Sequence, residues 1–384
     1  MPRLRNKLAV ISLSLSVICA LNIASAAQTK SSSKSERTSV NQENNNWNWH
    51  HNDSTVDLHV TIRGKVEFAD DYSDITSITA DGEIRVKDDR GGEVRKFEAT
   101  AEGGSIKRSY SINGQSKAFD DDARKWLANI LNQTVRLGGY DARARVQKLL
   151  KQSGARGVLA EISQLKSDYV KRIYFDELFA QGQLDSDTAR QALRLAGTEL
   201  SSDYEKAQLL VKMSDSYLVN DEMRAIYMEG VNTIQSDYER GRALSALLRR
   251  GELSKGNLLF AIKSAGNIKS DYERAQLLIK IANGFALDQA AQNAYLDAVA
   301  SISSDYEKGR VLSALLKKEP GKETLLFTLK SASTISSDYE KAQLLLKVAH
   351  SSANDDAVRN ALIEAARSIS SEYERGRVLS AVFK

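Results

Sequence analysis

Serine, aspartate, tyrosine, glutamate and a basic residue recur together along this chain, a set that contains a nucleophile, acids and a cation. The group first occurs at Ser167 and restarts at Ser202, Ser236, Ser270, Ser304, Ser337 and Ser371. Five starts read Ser-Asp-Tyr-Glu followed by Lys or Arg; the first reads Ser167-Asp168-Tyr169-Val170 and the last Ser371-Glu372-Tyr373-Glu374. A catalytic serine needs a base within hydrogen-bond reach and donors for an oxyanion. Seven copies of one local arrangement do not describe one reaction centre, and a local structural task accounts for the residues. Ser202, Ser236, Ser270, Ser304, Ser337 and Ser371 read as helix N-caps. Glu205, Glu239, Glu273, Glu307, Glu340 and Glu374, three positions on, complete a capping box.

The other residues capable of chemistry are sparse. The chain has four histidines, His50, His51, His59 and His350, and none stands in a His-Glu-x-x-His spacing. Asn44-Asn45-Asn46-Trp47-Asn48-Trp49-His50-His51 is an unusual run. It reads as part of a polar linker, because neighbouring histidines alone make a poor metal site. His59 alternates onto the polar side of a strand, which predicts solvent exposure. Cys19 is the one cysteine. No glycine-rich phosphate loop and no cofactor motif is present. These observations predict a chain that is not an enzyme and needs no cofactor.

The elements that must position these residues follow from period. Starts spaced 35, 34, 34, 34, 33 and 34 residues apart signal stacked supersecondary units. Within one unit, Tyr272 opens an apolar stripe continued by Ala275, Leu278 and Ala282. Ala291, Ala294, Tyr295, Ala298, Val299 and Ile302 mark the buried face of a second helix. The fold class is therefore mainly α: an α-solenoid of about six and a half helical hairpins over 167–384, preceded by a small antiparallel β-sheet domain. Units alternate. Those starting at Ser202, Ser270 and Ser337 continue Ala-Gln-Leu-Leu with Lys212, Lys280 or Lys347; those at Ser236, Ser304 and Ser371 continue Gly-Arg and then Leu-Ser-Ala. The duplication is thus a pair of hairpins. Gly241, Gly309 and Gly376 fall inside helices, which predicts a close approach at each.

Upstream, Val56, Leu58, Val60 and Ile62 alternate with polar residues and begin a strand. Strands at 75–79, 83–87, 93–100 and 105–112 follow, separated by Asp-Gly, Gly-Gly and Asn-Gly turns. Together they predict a meander over 55–118, with 119–166 as a helical connector. Residues 27–54, rich in Ser, Asn, Lys and Gln, predict a disordered tether. Residues 1–26 read as a cleaved signal peptide: Arg3, Arg5 and Lys7, an apolar core from Leu8 to Leu21, and Ala24-Ser25-Ala26. The chain is then periplasmic or secreted, with no cysteine and no stable membrane span after cleavage. Those three basic groups are unaccompanied by acids, so their removal lowers the net charge from +4 to +1. A surface so nearly neutral argues against nucleic acid.

Repetition also predicts ladders. Lys206, Arg240, Arg274, Lys308, Lys341 and Arg375 line up along one edge, with Arg242, Arg310 and Arg377 as a sparser row at alternate units. They form a candidate binding edge for an extended partner, expected to be another envelope protein.

The hairpin architecture is similar to HEAT and tetratricopeptide-type repeats, without the tetratricopeptide residue pattern. The sheet, the Trp126-bearing helix and the Ser-Asp-Tyr-Glu repeats, over roughly 56–384, also resemble extracytoplasmic regions attached to membrane zinc metallopeptidases of the beta-lactam-sensor type. The peptidase motif is absent from this sequence, so the resemblance implies a sensing or docking module and no peptidase activity. The leading expectation is a protein–protein interaction module. A ligand or glycan sensor is the alternative, and a hydrolase the remote one.

Overall fold

The computed structural model describes residues 37–43, 46–181, 184–251, 253–317, 320–351 and 355–383. The expected signal peptide lies outside the described residues. The N-terminal part contains β1 (Arg37–Glu43), β2 (Asn46–Asn52), β3 (Val56–Arg63), β4 (Val66–Phe68), β5 (Ile75–Ile78), β6 (Glu83–Arg90), β7 (Glu93–Glu102), β8 (Ser105–Ile112) and β9 (Gln115–Ser116). Seven strands form one antiparallel sheet in the order β1-β2-β3-β6-β7-β8-β9, and β4-β5 is a separate hairpin inserted into the meander.

The sheet begins earlier than the composition predicts. Residues 37–43 and 46–52, assigned above to a tether, are its first two strands. Trp47 pairs with Ile62 and Trp49 with Val60 across β2–β3, and both indoles are buried. The tether expectation failed because it counted aliphatic residues. Two alternating tryptophans bury as much apolar area as several of those.

The helices are α1 (Asp121–Arg136), α2 (Ala142–Ile162), α3 (Asp168–Gln181), α4 (Ser186–Glu199), α5 (Asp203–Tyr217), α6 (Asp221–Asn232), α7 (Asp237–Leu248) and α8 (Lys255–Gly266). They continue as α9 (Asp271–Gly284), α10 (Gln289–Ala300), α11 (Asp305–Leu315), α12 (Lys322–Ala332), α13 (Asp338–Ser351), α14 (Asp356–Arg367) and α15 (Glu372–Val382). Within α2, Gly154 is non-helical and separates two helical segments.

The connector divides between two cores. Trp126, Leu127, Ile130 and Leu131 of α1 pack on the sheet, where Trp126 Nε1 donates to the buried Asp88 carboxylate at 2.8 Å. Val146, Val158 and Leu159 of α2 instead open a second core that runs without a break to Val378 of α15. Tyr140 stands between them; its hydroxyl donates to the Val66 carbonyl at 2.9 Å and accepts from the Val66 N–H at 3.1 Å. Burial pushes that hydroxyl up to about 12.

From α3 onward the chain is a solenoid of helical hairpins. The first helices, α3, α5, α7, α9, α11, α13 and α15, pack each on the next and make one layer. The second helices, α4 to α14, make the other. No helix among the described residues is long and apolar enough to cross a membrane.

Candidate functional site

The repeated start has a structural half and an exposed half, and they divide differently from the sequence expectation. In α9 the buried residues are Arg274, Ala275, Leu277, Leu278, Ile281 and Ala282. In α5 they are Lys206, Ala207, Leu209, Leu210, Met213 and Ser214. In these two helices the buried stripe begins at the basic residue, and in α7 and α11 one position earlier, at Glu239 and Glu307. Tyr272 stands two positions before Arg274, about 200° round the helix, and so faces outward at 56% exposure. The tyrosine is not core, and the same holds in every unit: Tyr169, Tyr204, Tyr238, Tyr306, Tyr339 and Tyr373 are all exposed.

The expected basic ladder is correspondingly inside. Lys206, Arg274, Lys308 and Lys341 are 4 to 7% exposed, and Arg240 and Arg375 are half-buried. Each cation points at backbone or hydroxyl oxygens near the end of a second helix. Lys206 Nζ donates to Thr233 Oγ1 at 2.7 Å, Arg274 to Ser301 Oγ at 2.9 Å, Lys308 to Thr334 Oγ1 at 3.2 Å and Lys341 to the Ser368 carbonyl at 3.2 Å. Arg240, Arg274 and Arg375 also donate to the carbonyls of Ile234, Ile268 and Ile369 in the turn before their own helix. A cation at a helix C-terminus complements the dipole there. Burial holds Lys206 below its usual range. These six residues are intramolecular ties and form no binding edge.

The caps are half as expected. Ser202, Ser236, Ser270, Ser304, Ser337 and Ser371 accept from the N–H of Glu205, Glu239, Glu273, Glu307, Glu340 and Glu374 at 3.3 to 3.4 Å. The glutamates do not reach back to complete a box. The serine N–H is taken instead by the aspartate of the preceding unit. Asp168, Asp203, Asp237, Asp271, Asp305 and Asp338 accept from Ser202, Ser236, Ser270, Ser304, Ser337 and Ser371, at 2.6 to 2.9 Å. The same carboxylates take the N–H of the residue before each serine. These bonds are shorter than the serine caps and link neighbouring units, so they set the stacking.

Freed from capping, the glutamates work sideways. Glu239, Glu307 and Glu374 bind Arg242, Arg310 and Arg377 at 2.6 to 2.7 Å. Each arginine also lies over the tyrosine four positions before it: Arg242 on Tyr238 at 5.9 Å, Arg310 on Tyr306 at 5.6 Å, Arg377 on Tyr373 at 5.7 Å. Arg172 lies over Tyr169 at 5.6 Å. In the alternate units the fourth position is Gln208, Gln276 or Gln343. The sparser arginine row thus does occupy the outer edge, interleaved with glutamines and backed throughout by tyrosines.

The pairing of units has a physical basis in the same place. A Cβ on Gly241 would stand 3.1 Å from the Glu273 carboxylate of the next unit, and one on Gly309 3.5 Å from that of Glu340. Gly376 has nothing within 4 Å. The close approach expected at these glycines is therefore made by a glutamate side chain, at two of the three. Lys280 and Lys347 reach from the same successor units to Ser245 Oγ and Ser313 Oγ at 2.7 and 2.8 Å. Burial raises Glu273 above the usual carboxylate range. Between α7 and α9 these contacts leave a groove of about 410 Å³, lined by Tyr238, Arg242, Ser245, Tyr272, Gln276 and Lys280. A second groove, at the opposite kind of junction, lies between α13 and α15 and is lined by Leu346, His350, Tyr373 and Arg377.

The histidines also fall differently from expectation. His50 and His51 point to opposite faces of β2, so they make no joint site. His59 is on the polar face as expected, but it stacks on His50 across the strands, with Asp57 beside both. This grouping joins residues from two strands whose pairing the sequence did not reveal. His350 is exposed near the end of α13.

No protein-family profile matches the chain, and none of the curated proteins searched matches it. The resemblance to regions of beta-lactam-sensor metallopeptidases thus gains no support from either. One solved structure similar to the chain is described as "Computational Design of Self-Assembling Cyclic Protein Homooligomers"; it is 12% identical over 63% of this chain and 92% of that one, at a TM-score of 0.15. A likeness of that size carries no argument.

Proposed function

We propose that this chain is a non-enzymatic binding module that holds an extended segment of another protein along the tyrosine edge of its first-helix layer. The observation behind the reading is the ring ladder itself: seven units present an outward tyrosine, none of them required by the core. Tyrosine offers large contact area at low entropy cost and is favoured at binding surfaces. Helices packed about 8–10 Å apart place successive rings at a distance covered by roughly three residues of extended chain. Arginine at every second unit adds a guanidinium already oriented by its glutamate, suited to a partner carboxylate. The signal-like N-terminus puts the expected partner in the bacterial envelope. A docking role of that kind agrees with the resemblance to sensor-attached regions.

The test is a photo-crosslinking residue in place of Tyr272, introduced in cells. The reading predicts one discrete protein adduct, lost when Tyr238→Ala and Tyr306→Ala are added. The same group in place of Asn293, exposed on α10 of the other layer, should give none. Equal adducts at both positions, or none at Tyr272, would overturn it. The sensor reading draws on the same rings, which suit stacking on sugar faces. It would replace the first if a soluble oligosaccharide bound at the ladder while no protein adduct formed.

A further inference from the structure

The solvent face of the sheet carries a cluster that the helical repeat does not use. His50 on β2 and His59 on β3 are directly opposed in the antiparallel register. Their rings stack with centroids 3.8 Å apart and planes 11° from parallel. Both Nε2 atoms converge on one oxygen of Asp57, at 2.7 Å from His50 and 3.1 Å from His59. The ligand atoms of all three residues lie within 4.8 Å of one another. Asn52 Nδ2 donates to the same oxygen at 3.3 Å, and Lys87 Nζ stands 4.0 Å from the other.

We infer that His50, Asp57 and His59 form a binding site for a borderline divalent transition metal such as Zn²⁺. Zinc takes imidazole nitrogen and carboxylate oxygen at about 2.0–2.2 Å, so two ligands in a tetrahedral site stand roughly 3.3 Å apart. The His59 separation of 3.1 Å is close to that value; the 2.7 Å of His50 has to open by about 0.6 Å, and the stacked rings must splay so that the ion lies in both ring planes. For ligation each ring carries its proton on Nδ1, freeing Nε2. Two nitrogens and one carboxylate select against Ca²⁺ and Mg²⁺, which want oxygen only. The donors project from paired strands, a more rigid platform than a loop. All three side chains are more than a third exposed, Asp57 the least at 34%. The remaining coordination positions therefore open to solvent, where water or a group from another molecule completes the sphere. Lys87 opposes the ion and sets a limit on affinity.

The experiment uses the full chain without a histidine tag, titrated with Co²⁺ as an absorbing probe and then with Zn²⁺ in competition. One saturable equivalent with visible absorption of a nitrogen-ligated ion is expected, displaced by Zn²⁺ and untouched by Ca²⁺. His50→Gln and His59→Gln should each weaken binding by more than about tenfold with an unchanged circular dichroism spectrum, and Lys87→Gln should strengthen it. His350→Gln, far along the solenoid, should leave it unaltered. Absence of a saturable site, or binding indifferent to both His50→Gln and His59→Gln, would overturn the assignment.

Discussion

Asp271 accepts the N–H of Ser304 at 2.9 Å, tying the first turn of one hairpin to the cap of the next. The aspartate also takes the N–H of Ser303 at 2.9 Å, so one side chain satisfies two backbone donors that the helix itself leaves open. The contact recurs in six successive junctions, and the last unit has Glu372 in the equivalent place. Stacking in this solenoid thus has a polar register mark in addition to its apolar core.

Asp271→Ala should lower the unfolding free energy by about 1–2 kcal/mol, the cost of losing an acceptor for helix N-terminal donors. Denaturant titration measures the loss, and amide exchange at Ser304 should quicken selectively. An unchanged midpoint would mean that water replaces the carboxylate at no cost.

Acid should loosen the last junction. Hydrogen bonds from the Ser371 and Ser370 N–H groups hold Asp338 below its ordinary value of 3.8. A carboxyl depressed in the folded state contributes stability above its unfolded value and loses it as pH falls through the folded one. Docking of α15 should therefore be insensitive to pH near neutrality and weaken only below about pH 4. Asp338→Asn should flatten that dependence, as read from exchange at Ser371 across a pH series.

The three repeat glycines should not respond alike. Gly376→Ala meets nothing within 4 Å and should stabilise by about 1 kcal/mol through helix propensity. Gly241→Ala faces the Glu273 carboxylate at 3.1 Å, so displacement of that side chain should cancel most of the gain. Thermal melts of the two variants compare them directly, and equal gains would show that the glutamate moves freely.

Trp49→Ala should destabilise the sheet domain by about 3–5 kcal/mol, the range for emptying a large buried aromatic site. Tyr272→Ala, by contrast, should stay within about 0.5 kcal/mol of wild type, as for exposed positions. Near-ultraviolet circular dichroism with denaturant unfolding separates the two. A small effect at Trp49 would return residues 46–52 to the tether that composition suggested.

Much of the fold was legible because it rests on period. The spacing of the serine starts, the alternation of two kinds of unit, and the strands from Val56 to Ile112 all express local rules that act within a few residues. The serine cap is such a rule. The glutamate's task was misread because a capping box and a side-by-side arginine pair share the same local spelling, and only the Asp203 carboxylate of the preceding unit, which takes the Ser236 N–H, decides between them.

The sequence by itself determined that a helical hairpin repeats, and that a tyrosine, a carboxylate pair and a cation stand at the head of every copy but the first, where Val170 replaces one acid. Which of these face inward was decided by tertiary structure. A stripe's starting point depends on the neighbours that cover it: Arg274 lies against the end of its own second helix and the turn before it, Asp271 against the next hairpin, and Tyr272 is left in water. Strand pairing decided the rest: His50, Asp57 and His59 meet because β2 lies beside β3 in one register. Two buried tryptophans hold that register, and their partners lie across the strand pair, out of reach of a reading along the chain.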